Sequence, residues 1–165
     1  MNLLREAVRI THELQEVVFV GALAIFAHIG THRRTRDVDI ALASSITEEK
    51  LEKLGYHSWP ESGKEVRRTP RGVKLDIYRN DVSGIPVIRI FETAATSRVG
   101  RDHIKVMCLE ALLVAKLRAG RPQDNEDVQE LCLRKRRSIR WDILESMATP
   151  TEVSRLWAAV SAFAR

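Results

Sequence analysis

Two cysteines in 165 residues exclude a disulfide framework, and neither Cys108 nor Cys132 has a second cysteine or a histidine at zinc-ligand spacing. Both fall in segments that read as helix, so they are expected to be reduced packing residues, which suits a cytoplasmic protein. Long apolar runs are missing too. The stretch MNLLREAVRITHELQ carries charges throughout, which argues against a signal peptide or a membrane span. The expectation is a soluble protein with no membrane partner. No internal repeat or low-complexity segment occurs, so repeat architectures are excluded as well.

What is present suffices for one ordinary domain. Apolar residues make up 44% of the chain, enough to bury a single core without a disulfide or a structural metal. Lys and Arg total 27 against 22 Asp and Glu, a net charge of +5. That excess favours anionic partners such as nucleotides or RNA, and it is equally an ordinary way to stay soluble.

Leu3, Leu4, Ala7, Val8 and Thr11 recur at helical spacing and predict an amphipathic helix over the first dozen residues. Val17 to Val20 reads as a short buried strand ended by Gly21. Ala22 to Ile29 is apolar nearly all round, as in a helix packed under a sheet, and Gly30 stops it. From Thr35 to Leu42 the chain alternates: Val38, Ile40 and Leu42 face one way, Asp37 and Asp39 the other, the period of a half-buried strand. Ser45 and Glu48 are spaced as a capping box for a helix reaching Leu54 and closed by Gly55. Val66 to Thr69 and Val73 to Tyr78 flank Pro70-Arg71-Gly72 as a hairpin, and Val87 to Phe91 reads as a further strand. From about residue 104 the pattern turns helical, with breaks at Gly120-Arg121-Pro122, near Ser138 and at Thr149-Pro150. The implied fold is α+β, a mixed-sheet core with flanking helices over roughly residues 1–103 and a C-terminal helical subdomain over roughly 104–165, packed as one unit.

Asp37 and Asp39 stand ~6.6 Å apart along one strand face. Hard oxygen ligands of this kind suit Mg2+ or Mn2+, whose shells are completed by water and substrate phosphate oxygens. A third carboxylate on a neighbouring strand would let two ions clamp attacking and leaving oxygens. Asp76, on the polar side of the strand that carries Val73, Leu75 and Ile77, is the candidate. An isolated Asp-x-Asp is more often a pair of solvent-facing acids, but adjacent like charges repel unless a cation sits between them.

With these residues in view, the run FVGALAIFAHIGTHRRTRDVDIAL resembles the nucleotidyltransferase superfamily of polymerase-β-like fold: a strand, a turn of Gly and a small residue, a helix, then Arg-x-Thr-x-Asp-hydrophobic-Asp on the next strand. The resemblance implies that the turn Gly21-Ala22 lies against a nucleoside triphosphate (NTP). It implies that Arg33 and Thr35 are the upstream polar residues, that Asp37 and Asp39 bind metal, and that Asp76 is the third acid. Ala22 stands where the family usually has Gly or Ser. A second stretch, LEALLVAKLRAGRPQDNEDVQEL, is similar to the Lys-containing helix and following acidic helix of minimal abortive-infection and toxin-type (AbiEii-like) members, and implies that Lys116 reaches the triphosphate.

Read from its own neighbours, Lys116 shares a stripe with Leu109, Leu112 and Leu113, so it either meets an anion or lays its stem on the core with its ammonium in water. Alternation puts Arg33 on the aspartates' face, with Arg34 and Arg36 elsewhere, and a solvated charge run competes with that reading. Asp124 and Asp127 are read as caps, Asp124 at the N-cap, and Arg134-Lys135-Arg136-Arg137 with Arg140 as a solvated helix end in preference to a grip on an RNA or DNA backbone. The histidines at 28, 32, 57 and 103 have no partner at metal-ligand spacing and carry no assigned role.

The function expected is metal-dependent transfer of a nucleotidyl group from an NTP to a hydroxyl acceptor, with tRNA or other RNA, a protein side chain or a small molecule as acceptor. Asp37, Asp39 and Asp76 would ligate metal and act in catalysis, and Gly21, Ala22, Arg33, Thr35 and Lys116 would bind nucleotide. The rival is a catalytically silent member that binds nucleotide or a cognate protein partner, as in a toxin-antitoxin pair. A plain nucleic-acid binder rests on charge alone.

Overall fold

The computed structural model describes residues 3–30, 35–60 and 63–163. In chain order its elements are α1 (Leu3–Leu14), β1 (Val17–Phe19), α2 (Gly21–Ile29), β2 (Asp37–Leu42), α3 (Glu48–Lys53), β3 (His57–Ser58), β4 (Glu65–Arg68), β5 (Lys74–Tyr78), a small hairpin of β6 (Asp81–Val82) and β7 (Ile85–Pro86), α4 (Val87–Thr93), β8 (Ala95–Val99), β9 (Asp102–Val106), α5 (Leu109–Ala119), α6 (Pro122–Lys135), α7 (Trp141–Glu145) and α8 (Pro150–Ala162). Seven strands form one mixed sheet in the order β3-β4-β5-β2-β1-β9-β8. The pairs β2 with β5 and β1 with β9 are parallel, and the other neighbours are antiparallel.

Helix α1 buries Ala7, Ile10 and Leu14, an i, i+3, i+7 stripe laid against β1 and β9. Helix α2 is apolar nearly all round because it packs against β2 and β9 from the sheet and against α5 and α6 beyond, which leaves none of its residues fully exposed. Gly30 closes it at φ 72°, a left-handed conformation that only glycine adopts without cost. Along β2 and β5, Val38, Ile40, Leu75 and Ile77 are buried in the core, so the alternate positions 37, 39, 74 and 76 share the opposite face. Further along the chain, α5 ends at Gly120, Pro122 opens α6, and Thr149 with Glu152 forms a complete capping box for α8.

Four local expectations are corrected. Val87 to Phe91 is helix α4, not strand: Val87 and Ile90 are buried while Ile88 is 66% exposed, a helical spacing that a short apolar run conceals. Residues 102–106 are strand β9, with Ile104 and Val106 buried between exposed His103 and Lys105, so the sheet runs past residue 104 and regular helix begins only at Leu109. Helix α3 is capped by Thr47, whose side chain accepts from the Lys50 N–H at 3.2 Å. Burial of Ile46 turns the chain before the helix starts, and the Ser45 hydroxyl bonds Glu16 instead. Asp124 is not an N-cap either; Arg121 holds that position in α6.

Candidate active site

The parallel pairing of β2 with β5 sets Asp37 opposite Lys74 and Asp39 opposite Asp76. Neighbouring strands lie ~4.8 Å apart, so the Asp39 and Asp76 side chains rise side by side from the same sheet face. They form part of the wall of an open cleft of about 380 Å3. Gly21, Ala22, Thr35, Asp37 and Lys116 lie on that wall too. The cleft therefore gathers every residue to which the sequence assigned a metal- or nucleotide-binding role except Arg33, which lies outside the described residues.

Charge in this cleft is crowded. Burial, then repulsion from Asp76 and Asp37, pushes the Asp39 carboxyl up to about 6, against the partial relief given by Lys116 and Lys64. Asp76 is 7% exposed, and among the described residues its buried Oδ1 accepts no hydrogen bond. Among the described residues the nearest cations are lysines: Lys74 Nζ stands 3.4 Å from Asp76 Oδ1 and 4.0 Å from Asp37, and Lys64 Nζ stands 3.8 Å from Asp76 Oδ2. Among the described residues no three acidic, histidine or cysteine side chains stand close enough to cage an ion alone. The donor set still fits Mg2+ or Mn2+, ions that take one or two carboxylates and fill the remaining positions from water and phosphate. A buried oxygen with spare lone pairs and a carboxylate made more basic by burial and its acidic neighbours both gain from a cation.

The turn is built against this pair. Gly21 has φ 59°, and a Cβ placed on it would lie 2.5 Å from Asp39 Oδ2. Only glycine satisfies both conditions. Helix α2 starts here with Val20 at its N-cap and no side-chain cap bond among the described residues, and an uncapped helix start beside a cleft is the arrangement that receives phosphate elsewhere. Thr35 spends its hydroxyl locally, donating to the Asp37 carbonyl at 3.1 Å while lying 3.3 Å from the Asp37 N–H.

Lys116 is 8% exposed and meets protein anions: its Nζ is 2.6 Å from Asp124 Oδ1 and 2.9 Å from Asp127 Oδ2. Arg121 Nε holds the other Asp124 oxygen at 2.6 Å. Burial alone would raise the Asp124 carboxyl, but hydrogen bonds from Arg121 and Lys116 outweigh it and hold the group below its ordinary value. The acids that read as caps therefore fix the lysine at the cleft wall.

The family described as nucleotidyl transferase of unknown function (DUF2204) matches residues 2–148. The chain belongs to that nucleotidyl transferase family. No curated protein gives a significant match. Among solved structures, an antigenic nucleotidyltransferase-like protein from Paracoccidioides brasiliensis shares 16% identity over 97% of this chain and 87% of its own, with a TM-score of 0.60. A nucleotidyltransferase candidate from Thermotoga maritima shares 19% over 78% and 91%, with a TM-score of 0.55. ANT(2")-Ia, in complex with adenylyl-2"-tobramycin, shares 14% over 99% and 97%, with a TM-score of 0.56. At such identities the likeness is one of fold, the polymerase-β-like nucleotidyltransferase fold.

Among the polar residues of this cleft that were missed in the sequence are Lys64, Lys74, Tyr78 and Arg121. Lys74 and Tyr78 each stand two positions from Asp76, so strand alternation places them on its face and could have found them. Arg121 sits in the Gly120-Arg121-Pro122 break, where it reads as turn. Lys64 lies in an irregular polar stretch with no periodicity to mark it.

Proposed function

We propose that the protein transfers a nucleotidyl group from an NTP to a hydroxyl acceptor in a reaction dependent on a divalent cation. The observation that carries the reading is the side-by-side register of Asp39 and Asp76 with the Gly21 turn closed down on Asp39. Asp37, Asp39 and Asp76 would hold Mg2+ or Mn2+, which when bound supplies positive charge at the triphosphate and acidifies an oxygen placed beside it.

The chain's own groups do the rest. The uncapped N-terminus of α2 at Gly21 and Ala22 receives phosphate oxygens, with Thr35 ordering the entry to β2. Lys116 is positioned at the cleft wall by Asp124 and Asp127, whose carboxylates match its charge, and Lys64 and Lys74 exchange their carboxylate contacts for phosphate ones. Asp76 takes the acceptor's hydroxyl proton. The oxygen then bonds to the α-phosphorus, the bond from that phosphorus to the β-phosphate bridge breaks, and pyrophosphate leaves with the electron pair. One fold neighbour, ANT(2")-Ia, is described with an adenylylated acceptor, which supports this chemistry for the fold. RNA, including tRNA, a protein side chain and a small molecule are the acceptor classes to be separated.

The test is incubation with each α-labelled NTP, Mg2+ or Mn2+, and in turn total RNA, protein extract and a small-molecule pool. Metal-dependent label transfer that disappears in Asp39→Asn and Asp76→Asn is the expected result. Transfer that survives either change removes the mechanism, and nucleotide binding with no transfer to any pool favours a silent nucleotide-binding module.

A further inference from the structure

A second cavity, of about 200 Å3, adjoins the main cleft, and the two share Lys64, Asp76 and Tyr78 as common wall. The larger falls within the ~300–1,000 Å3 range of pockets that enclose ligands of drug size, and the smaller falls below it. At ~30 Å3 per water the smaller space holds about seven waters, room for one five- or six-membered ring. Its polar groups are unevenly committed. Arg79 is spent on Glu65, at 2.6 and 3.1 Å, and on the Ile46 carbonyl at 2.8 Å, so neither the arginine nor the glutamate offers a free charge. Asn80 and Asp81 are exposed at the rim, and among the described residues Asp81 gives only Oδ1, to the Gly84 N–H at 2.8 Å. Lys64, the remaining cation on this wall, already lies 3.8 Å from Asp76 Oδ2, so with the carboxylates of Asp76 and Asp81 and the Asn80 amide the lining matches a neutral ring bearing neighbouring hydroxyls better than it matches a phosphate.

We propose that this second cavity seats the acceptor as a sugar ring with a vicinal diol, read by Asn80 and Asp81, and that the shared Asp76 faces the hydroxyl that attacks. The assignment of the attacking hydroxyl rests on the transfer reaction proposed above; the ring site itself does not. A ring of this kind is offered both by free nucleosides or sugars and by the terminal ribose of an RNA. A serine, threonine or tyrosine hydroxyl would leave Asn80 and Asp81 without a partner.

The test combines binding and transfer with the full chain. Saturation-transfer NMR without nucleotide compares adenosine, uridine, methyl riboside and an RNA oligonucleotide ending in a 3′ diol with the same oligonucleotide after periodate oxidation. It is run on the wild type, on Asn80→Trp, which fills the cavity, and on Asn80→Ala, which keeps the question answerable if the larger residue prevents folding. Diol probes should bind the wild type, and binding should fall at least ~10-fold on oxidation and in Asn80→Trp, with a smaller fall in Asn80→Ala. Affinity for an NTP with Mn2+, measured by calorimetry, should stay within ~2-fold in both variants, because Asn80 lies off the main cleft. In the transfer arm, label on the free ring or on the RNA 3′ end identifies the source, and both support the site. Equal binding of oxidised and intact probes, unchanged affinity in both Asn80 variants, or label on a protein side chain overturns it. Diol binding lost in Asn80→Trp by a protein that binds no NTP at all would overturn the transfer reaction and uphold the ring site.

Discussion

Replacing Asp39 with Asn should stabilise the ligand-free protein at neutral pH while removing its proposed activity. The folded-state carboxyl sits at about 6, above the ordinary aspartate value of 3.8, so the folded chain holds this proton more tightly than the unfolded one. Stability therefore falls as pH rises through that window and levels off above it. Urea melts should show the Asp39→Asn variant more stable than wild type by on the order of 2 kcal/mol near pH 8, with the difference gone below about pH 4. A gap that is unchanged across the window would mean that Asp39 is not strained by its neighbours. Gly21→Ala should act the other way. A left-handed φ costs a residue with a Cβ ~1–2 kcal/mol, and that atom must also displace the Asp39 carboxylate. Thermal melts should show at least that loss, and NTP titration with Mn2+ should show binding lost with it. At this scale Asp37, Asp39 and Asp76 were legible because a strand's period of two assigns faces without knowledge of the partner strand. Lys64 had no period to betray it, and the pairing of Lys116 with Asp124 and Asp127 was hidden because caps and ion-pair partners use the same residue types near a helix start.

Among the elements, α5 and α6 are joined at the cleft by a buried ion network, and α8 is fastened to α5 by a part-buried ion pair. Asp124 is fully buried between Lys116 and Arg121, so Asp124→Ala leaves a buried ammonium short of one partner. The expected cost is about 3 kcal/mol in denaturant unfolding, and weaker NTP binding should accompany it as Lys116 loses its fixed position. A loss under ~1 kcal/mol would show that the network is solvated. Glu152 accepts from Arg118 at 2.8 and 3.1 Å and from the Thr149 N–H at 2.8 Å, and chiefly the Arg118 bond holds its carboxyl down to about 2. Its contribution is present above the ordinary glutamate range and is lost as pH falls towards 2. Glu152→Gln should therefore lower Tm at neutral pH and lose that effect in acid. The box at Thr149-Pro150 was legible because its signal is local. Helix α4 was not: the run Val87 to Phe91 has too few residues to separate a helix from a strand, and Pro86 together with the β6–β7 turn decides the outcome.

Over the whole molecule, the α+β class and the run of C-terminal helices could be read from patterning, whereas strand order could not. The parallel register that sets Asp39 beside Asp76 is a non-local pairing, and so is the return of β9 beside β1 after more than eighty residues of intervening chain. Motif order supplied what periodicity lacked. Because the proposed site uses residues from α2, β2, β5 and α5, occupancy should stabilise the molecule as a unit. With NTP and Mn2+ at about 100 times Kd, linkage predicts roughly 2.7 kcal/mol, a Tm rise of several degrees that EDTA abolishes. The most direct measurement is an anomalous diffraction map of the protein soaked with Mn2+ and a non-hydrolysable NTP analogue. A manganese peak within ~2.0–2.3 Å of carboxylate oxygens of both Asp39 and Asp76, with phosphate against the Gly21 turn, is the predicted result. A metal and nucleotide bound away from those carboxylates would contradict it.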